Sequence, residues 1–338
     1  MVPPNPQAEN PTPSDAVASE KAMQTPVEQT AQETWQETWQ VAWQQRWWPF
    51  IQERFSPLPH LLLISSFWLG NGLIAVLFAN QLPAWLGVLF SGPVLLLFFF
   101  RMRLMDELKD LDDDRFLHPE RPLVRGLVTE TEARCAIWGL YAVEALLCCL
   151  TGWVGLLAWA LAAGYSFLMW QEFYARDWLR PQMEWYAVSH TLVAVGLGLL
   201  VMQCWLGEPF WQLSPPVFLL AASNWLVFNV FEFARKTYGV DEEPTHGQSY
   251  SARLQPVGAA VVTQINALLA ILAGCLLLLS LQRFLAAACW ALLMLSLTVG
   301  LSVGYVLAPE AQWAVWYRRG MHGFIPLYYG LLSVGSLL

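Results

Sequence analysis

The sequence predicts an all-α polytopic membrane protein, and three observations carry that expectation. Hydrophobic residues fill 56% of the 338 positions against 13% charged, with a mean hydropathy of +0.41, a balance foreign to soluble domains. Apolar segments recur at the roughly 20-residue length that a bilayer core demands of a helix. Lys and Arg gather in alternate loops, as they do when short basic loops are retained on the cytoplasmic side.

Taken in order, residues 1–33 are rich in Pro, Gln, Glu and Thr and lack an apolar central region. They read as a disordered cytoplasmic tail without a cleavable signal peptide. Residues 34–56 follow and take in most of QETWQETWQVAWQQRWWPF, residues 32–50, where Trp35, Trp39, Trp43 and Trp47 stand four apart. On a helix these rings form one drifting stripe, suited to the headgroup boundary where an indole is apolar on its faces and wet at its N–H, or alternatively to packing against the protein's own cytoplasmic loops or a partner. Residues 57–338 form the membrane domain, with nine spans near 59–80, 82–101, 132–151, 153–172, 184–206, 215–234, 256–281, 284–307 and 323–338, the last being short. With a cytoplasmic N-terminus, seventeen of the eighteen Lys and Arg fall on the cytoplasmic side and Arg283 is the exception. The expectation is an integral protein of a bacterial cytoplasmic (inner) membrane. The net charge of −8 says little about partners, since much of it comes from the tail and the acid clusters; nothing resembles a nucleic-acid surface, so no nucleic-acid partner is expected, and six cysteines without CxxC or Cys/His spacing read as packing residues.

Chemistry is expected where charge interrupts the apolar pattern. The segment RMRLMDELKDLDDDRFLHPERPLVRG, residues 101–126, closes the second span. If that helix continues, Asp106, Asp110 and Asp114 stack on one face. Such carboxylates repel unless cations lie among them. Arg101, Arg103, Lys109, Arg115, Arg121 and Arg125 are nearby, which suggests a divalent metal and the phosphate oxygens it bridges. Pro119 and Pro122 fix a turn that aims Arg121 and Arg125. A second cluster, NVFEFARKTYGVDEEPTHG, closes the sixth span with Asn229, Glu232, Arg235, Lys236, Asp241, Glu242 and Glu243. If the two clusters converge, they can hold metal on opposite sides of a diphosphate. Glu232 and Lys236 also have the spacing of an ordinary i,i+4 ion pair. Inside the spans, Asn71, Glu144, His190, Asn224, Asn229 and Asn266 are costly to bury without partners. Glu144 or His190 could deprotonate an acceptor.

The sequence DELKDLDDD followed by PERPLVRG resembles the first aspartate motif of the UbiA superfamily of intramembrane prenyltransferases, whose usual form is NDxxDxxxD with a following PxRPLxxG. Matching through the turn places Asp106 at the family's Asn, Glu107 at its first Asp, and Asp110 and Asp114 at the next two. The resemblance extends over the membrane domain, since that family has nine helices with acidic motifs after helices two and six. It implies Mg2+ held by Asp106, Glu107, Asp110 and Asp114, with Glu232 and Asp241 from the second cluster. It also implies an isoprenyl diphosphate donor contacted by Lys109, Arg121, Arg125, Arg235 and Lys236, and transfer of its prenyl group to a lipophilic acceptor within the membrane. Asp110, Asp114, Glu232 and Lys236 would carry catalysis, with Asn71, Tyr165 and His190 on the substrates. Trp68, Tyr165, Phe167 and Trp170 are candidates to stabilise an allylic cation.

Two departures are visible. The family's next spaced Asp in the second motif falls among Arg235, Lys236 and Gly239, and YSFLMWQEFYARDWLRP matches the family's YSxxLKR only at Tyr165-Ser166. The alternatives are a terpene cyclase-like or non-catalytic relative on the same fold, or a secondary transporter using Glu144 and His190. A CDP-alcohol type phosphotransferase lacks its DG and AR elements here.

Overall fold

The computed structural model describes residues 40–243 and 249–338, and every regular element among them is helical. A π turn, Trp43–Trp47, leads into α1, Trp48–Arg54, followed by α2, Pro57–Ala79, α3, Trp85–Lys109, and α4, Leu111–Leu117. Next come α5, Glu130–Leu150, α6, Trp153–Trp170, α7, Arg176–Leu179, α8, Met183–Thr191, and α9, Val193–Leu206. The chain continues through α10, Pro215–Arg235, α11, Tyr250–Ser280, α12, Phe284–Leu307, α13, Ala311–His322, and α14, Phe324–Leu337.

Local chemistry sets these boundaries. Pro57 and Pro215 open α2 and α10 at first-turn positions, where a missing N–H costs nothing. Thr129 and Glu132 form a reciprocal capping box that starts α5. Gly207, at φ 68°, ends α9 in the left-handed conformation. α11 is bent at Gln255, φ 63°, because Pro256 excludes the helical conformation from the residue before it.

Among the described residues, eight crossings are long and apolar enough to span a membrane, with α8 and α9 together forming one. They match the first eight expected spans. The ninth is α14, and its 14 residues extend only about 21 Å at 1.5 Å each, short of a core of roughly 30 Å. Its far end still meets the opposite face, where Arg283 Nη1 donates to the Leu338 main-chain oxygen at 2.8 Å. That contact also accounts for the one basic residue standing apart from the charged face.

α9 is the hub and packs on α2, α3, α6 and α10. Its crossing is 61% buried, against 22% for α5 and for α12, so those two form the outer rim. Close approach to the hub depends on small residues. A Cβ on Gly87 would lie 1.7 Å from the Cys204 carbonyl oxygen, and one on Gly72 would lie 2.3 Å from the Trp205 ring. Among lipid tails, helices associate through such packing and through polar contacts. Here Tyr329 on α14 donates to Asn224 at 2.6 Å, and Asn224 donates to Asn71 at 2.8 Å. These bonds, with Tyr329 lying over Gly70, close the bundle between its last helix and α2.

The expected tail 1–33, with Trp35 and Trp39, lies outside the described residues. Of the other stripe residues, Trp43 is exposed, as is neighbouring Trp48, whereas Trp47 packs edge-on against Phe50. This segment is fastened to the first charged loop. Arg46 donates to the Leu127 carbonyl at 3.0 Å and pairs with Glu132, while Arg54 donates to Glu107 at 2.6 Å.

Candidate functional site

The two charged clusters converge. α3 delivers Asp106 and Lys109 to the polar end of the bundle, where Lys109 Nζ donates to Asp106 at 3.2 Å and to the Tyr186 hydroxyl at 2.8 Å. Asp106 is enclosed by protein, yet its side chain keeps half of its accessible surface, so it lines an interior recess. Met102, Met105, Ser166, Met169, Trp170 and His190 share that recess with Asp106 and Lys109. From α10, Glu232 is held by Arg235 at 2.5 Å and Lys236 at 3.7 Å. Lys236 lies within charge–charge range of Asp106 and Asp110, and Arg235 within range of Asp106. Lys109, Arg235 and Lys236 are gathered at this one end of the bundle, where they can meet a polyanionic ligand.

The expected stack of three aspartates is broken at Asp110, where α3 ends before α4 begins. Asp106 lines the recess, Asp110 pairs with Arg180 at 3.1 Å, and Asp114 is buried against Arg121. Burial, with the like charges of Asp106 and Asp114, raises the Asp110 pKa above the ordinary aspartate value, although Lys109 and Arg180 oppose the shift. Burial likewise lowers the Lys236 pKa, with Arg235 adding to the effect and Glu232 opposing it.

Arg180 belongs to the site although no sequence motif marks it. It donates to Glu172 at 2.7 Å, Asp113 at 2.5 Å and Asp110 at 3.1 Å. Its delivery depends on an uncommon turn: Glu172, Phe173 and Tyr174 have successive φ values of 49°, 54° and 56°. Left-handed backbone at non-glycine residues costs roughly 1–2 kcal/mol each, and such strain clusters at functional sites. This turn brings a cation to Asp110 from the loop that follows α6. His322 is likewise unmarked in the sequence. It stacks on Phe231 with centroids 4.5 Å apart, and burial, helped by Arg235 and Arg318, lowers its pKa to about 4.

Other expected site residues are engaged elsewhere. Glu107 is buried between Arg54 and Arg103, drawn to α1 and away from Tyr186 and the recess. Arg125 pairs with Glu53 at 2.8 Å. Asp241 accepts the Ala311 N–H at 2.6 Å, which caps α13. Asn71 is fully buried, donating to the Phe67 carbonyl and accepting from Asn224. Tyr165 donates to the Ser189 carbonyl at 2.7 Å. Glu144 is closed off in a buried bidentate pair with Arg101, at 2.8 and 2.9 Å, and also accepts from Trp159. Of the aromatic candidates, Trp170 lines the recess and Phe167 packs behind it, whereas Trp68 donates to Ser91 at 2.8 Å.

The donor set bears on a metal. Among the described residues, no three His, Cys, Asp or Glu side chains form a metal-holding group. Mg2+, however, keeps several waters and is usually held by one or two carboxylates together with substrate phosphates. Asp106 and Asp110, partly accessible hard oxygen donors on neighbouring turns, fit one such ion. The second cluster does not fit another, because Glu232 is covered by two cations and Asp241 is used as a cap.

Solved structures share this architecture. The apo structure of a UbiA homolog from Aeropyrum pernix K1 superposes with a TM-score of 0.58 at 16% identity, covering 82% of this chain and 97% of that one. A digeranylgeranylglyceryl phosphate synthase gives a TM-score of 0.56 at 15% identity, covering 82% of this chain and 98% of the other. No protein-family model matches the sequence, and no curated protein does. The chain has the UbiA fold.

Proposed function

On the premise of the UbiA fold, we propose that this integral membrane protein transfers a prenyl group from an isoprenyl diphosphate to a lipophilic acceptor, at a site facing the cytoplasm. The observation that carries this reading is the convergence of Lys109, Arg180, Arg235 and Lys236 around Asp106 and Asp110 at the mouth of an apolar recess. Polyanion recognition and an apolar wall side by side are what a prenyl diphosphate requires.

The four cations neutralise charge that builds on the diphosphate as its C–O bond lengthens, the largest single contribution a preorganised site makes. Mg2+ would be held by Asp106 and Asp110, and when bound it supplies further neutralisation of the phosphate oxygens. Trp170 and the methionines keep water from the allylic carbon, and the indole face stabilises positive charge there by about 2 kcal/mol when desolvated. The second cluster acts through Arg235 and Lys236 as direct phosphate contacts. A transporter reading needs an accessible acid within the bundle, and Glu144 is sealed by Arg101, Trp159 and the Ser166 layer.

Incubating the purified protein with Mg2+, labelled geranylgeranyl diphosphate and a panel of lipid alcohols and phenols tests the proposal. Diphosphate release and a prenylated product are expected, and Asp110→Asn should reduce both by at least about 100-fold. No release under any condition, with Asp110→Asn indistinguishable from the parent, would reject the reading.

A further inference from the structure

One buried polar atom in the recess has no partner. His190 lies on α8, and its Nδ1 sits 2.7 Å from the Tyr186 carbonyl oxygen. A carbonyl only accepts, so Nδ1 carries the hydrogen and the neutral ring leaves its lone pair on Nε2. Nε2 is buried and makes no hydrogen bond. An unmet buried acceptor costs about 1–3 kcal/mol, so its retention needs a reason.

The ring is held in place. It stacks on Tyr186 with centroids 3.8 Å apart, and Phe173 meets it edge-on at 5.7 Å. Phe173 packs in turn on Tyr165, whose hydroxyl grips the Ser189 carbonyl beside the histidine. The strained turn at residues 172–174 thus places one wall of the imidazole. Asp106 and Lys109 face the ring from α3, and Glu232 lies within charge–charge range from α10.

We propose that His190 Nε2 receives the hydrogen of the acceptor's nucleophilic group, and that the acceptor is a lipid alcohol or phenol whose oxygen attacks C1 of the donor. This rests on the prenyl-transfer reading. The donor C1–O bond breaks with its electron pair leaving on the diphosphate, and the acceptor oxygen forms the new bond to C1. The acceptor's proton passes to Nε2, and the resulting imidazolium stands among Asp106 and Glu232. No other co-reactant is needed. His190 orients the hydroxyl before reaction and takes the proton during it, a role worth 10²–10⁴-fold in rate.

The test uses the full chain in lipid nanodiscs with 15N-labelled histidine, assigned by comparison with His190→Gln. His190 is expected as the Nδ1–H tautomer, and geranylgeraniol should shift its Nε2 resonance, whereas a hydrocarbon of equal length should not. An Nε2–H tautomer, or equal responses to alcohol and hydrocarbon, would overturn the proposal whatever the chain's activity. His190→Gln should reduce prenyl transfer to the alcohol by about 100-fold or more while leaving affinity for geranylgeranyl thiolodiphosphate within about twofold. Unchanged transfer would also overturn it. Failure of the parent protein to bind the thiolodiphosphate would strike the prenyl-transfer reading instead, and the tautomer and alcohol response would still decide the role of Nε2.

Discussion

Arg180 and Arg125 present opposite cases of a basic residue near an acid-rich loop. Arg180 joins three carboxylates beside the recess, whereas Arg125 is tied to Glu53 at an exposed position. Replacing Arg180 by Ala should weaken thiolodiphosphate binding by at least about tenfold, in line with loss of a charge-assisted contact. Arg125→Ala should leave binding within about twofold, since exposed ion pairs contribute under about 1 kcal/mol. Isothermal titration of the two variants separates them. The raised pKa of Asp110 means its carboxylate is protonated above the usual aspartate range, so activity falls as pH drops through that region. The lowered pKa of Lys236 means its charge is lost below the usual lysine range, so donor affinity falls as pH rises through it. Lys236→Arg, whose charge persists, should move that alkaline limb upward in a pH series of donor affinity. The acid spacing on α3 was legible because helix geometry is local. That Glu107, Asp114 and Asp241 would be claimed by Arg54, Arg121 and the start of α13 was not, because those partners are set by tertiary packing.

At the scale of elements, the turn after α6 determines how the recess is furnished. Tyr174 combines a φ of 56° with a side chain that is 75% exposed, so little packing is lost by removing it. Tyr174→Gly should therefore be neutral or stabilising by up to about 1 kcal/mol, read by chemical denaturation in detergent. The contrasting case is the pair that joins α3 to α5. Glu144→Gln leaves the Arg101 guanidinium buried between Phe98 and Tyr141 without its counter-charge, at a cost of about 3–5 kcal/mol. Glu144 was read from sequence as a possible base because an acid inside a span is costly; the structure resolves that cost through a partner 43 positions away. The left-handed turn had no sequence signal, since Glu-Phe-Tyr contains no glycine or proline to announce it.

For the whole molecule, the alternation of apolar spans and basic loops was sufficient to recover the helix order and the shared face of the charged loops, because both follow from the cost of exposing backbone or charge to lipid. The hub position of α9 was not legible, since all spans are similarly apolar and its burial against four helices, with close approach at Gly72 and Gly87, is set by tertiary packing. Cysteines introduced at Glu120 and at Gln282 should label with an impermeant maleimide from opposite sides of sealed vesicles. Labelling of both from one side would reverse the deduced path. The packing of α14 on α2 also sets an order of events during synthesis. Among the described long helices α2 leaves the ribosome before the others, yet Gly70 receives the Tyr329 ring and Asn224 its hydroxyl only once α14 has been made. Until then α2 and α10 hold one another through Asn71 and Asn224 with one side uncovered, so the nascent bundle waits for its last helix, and truncations that remove α14 should be cleared by quality-control proteases.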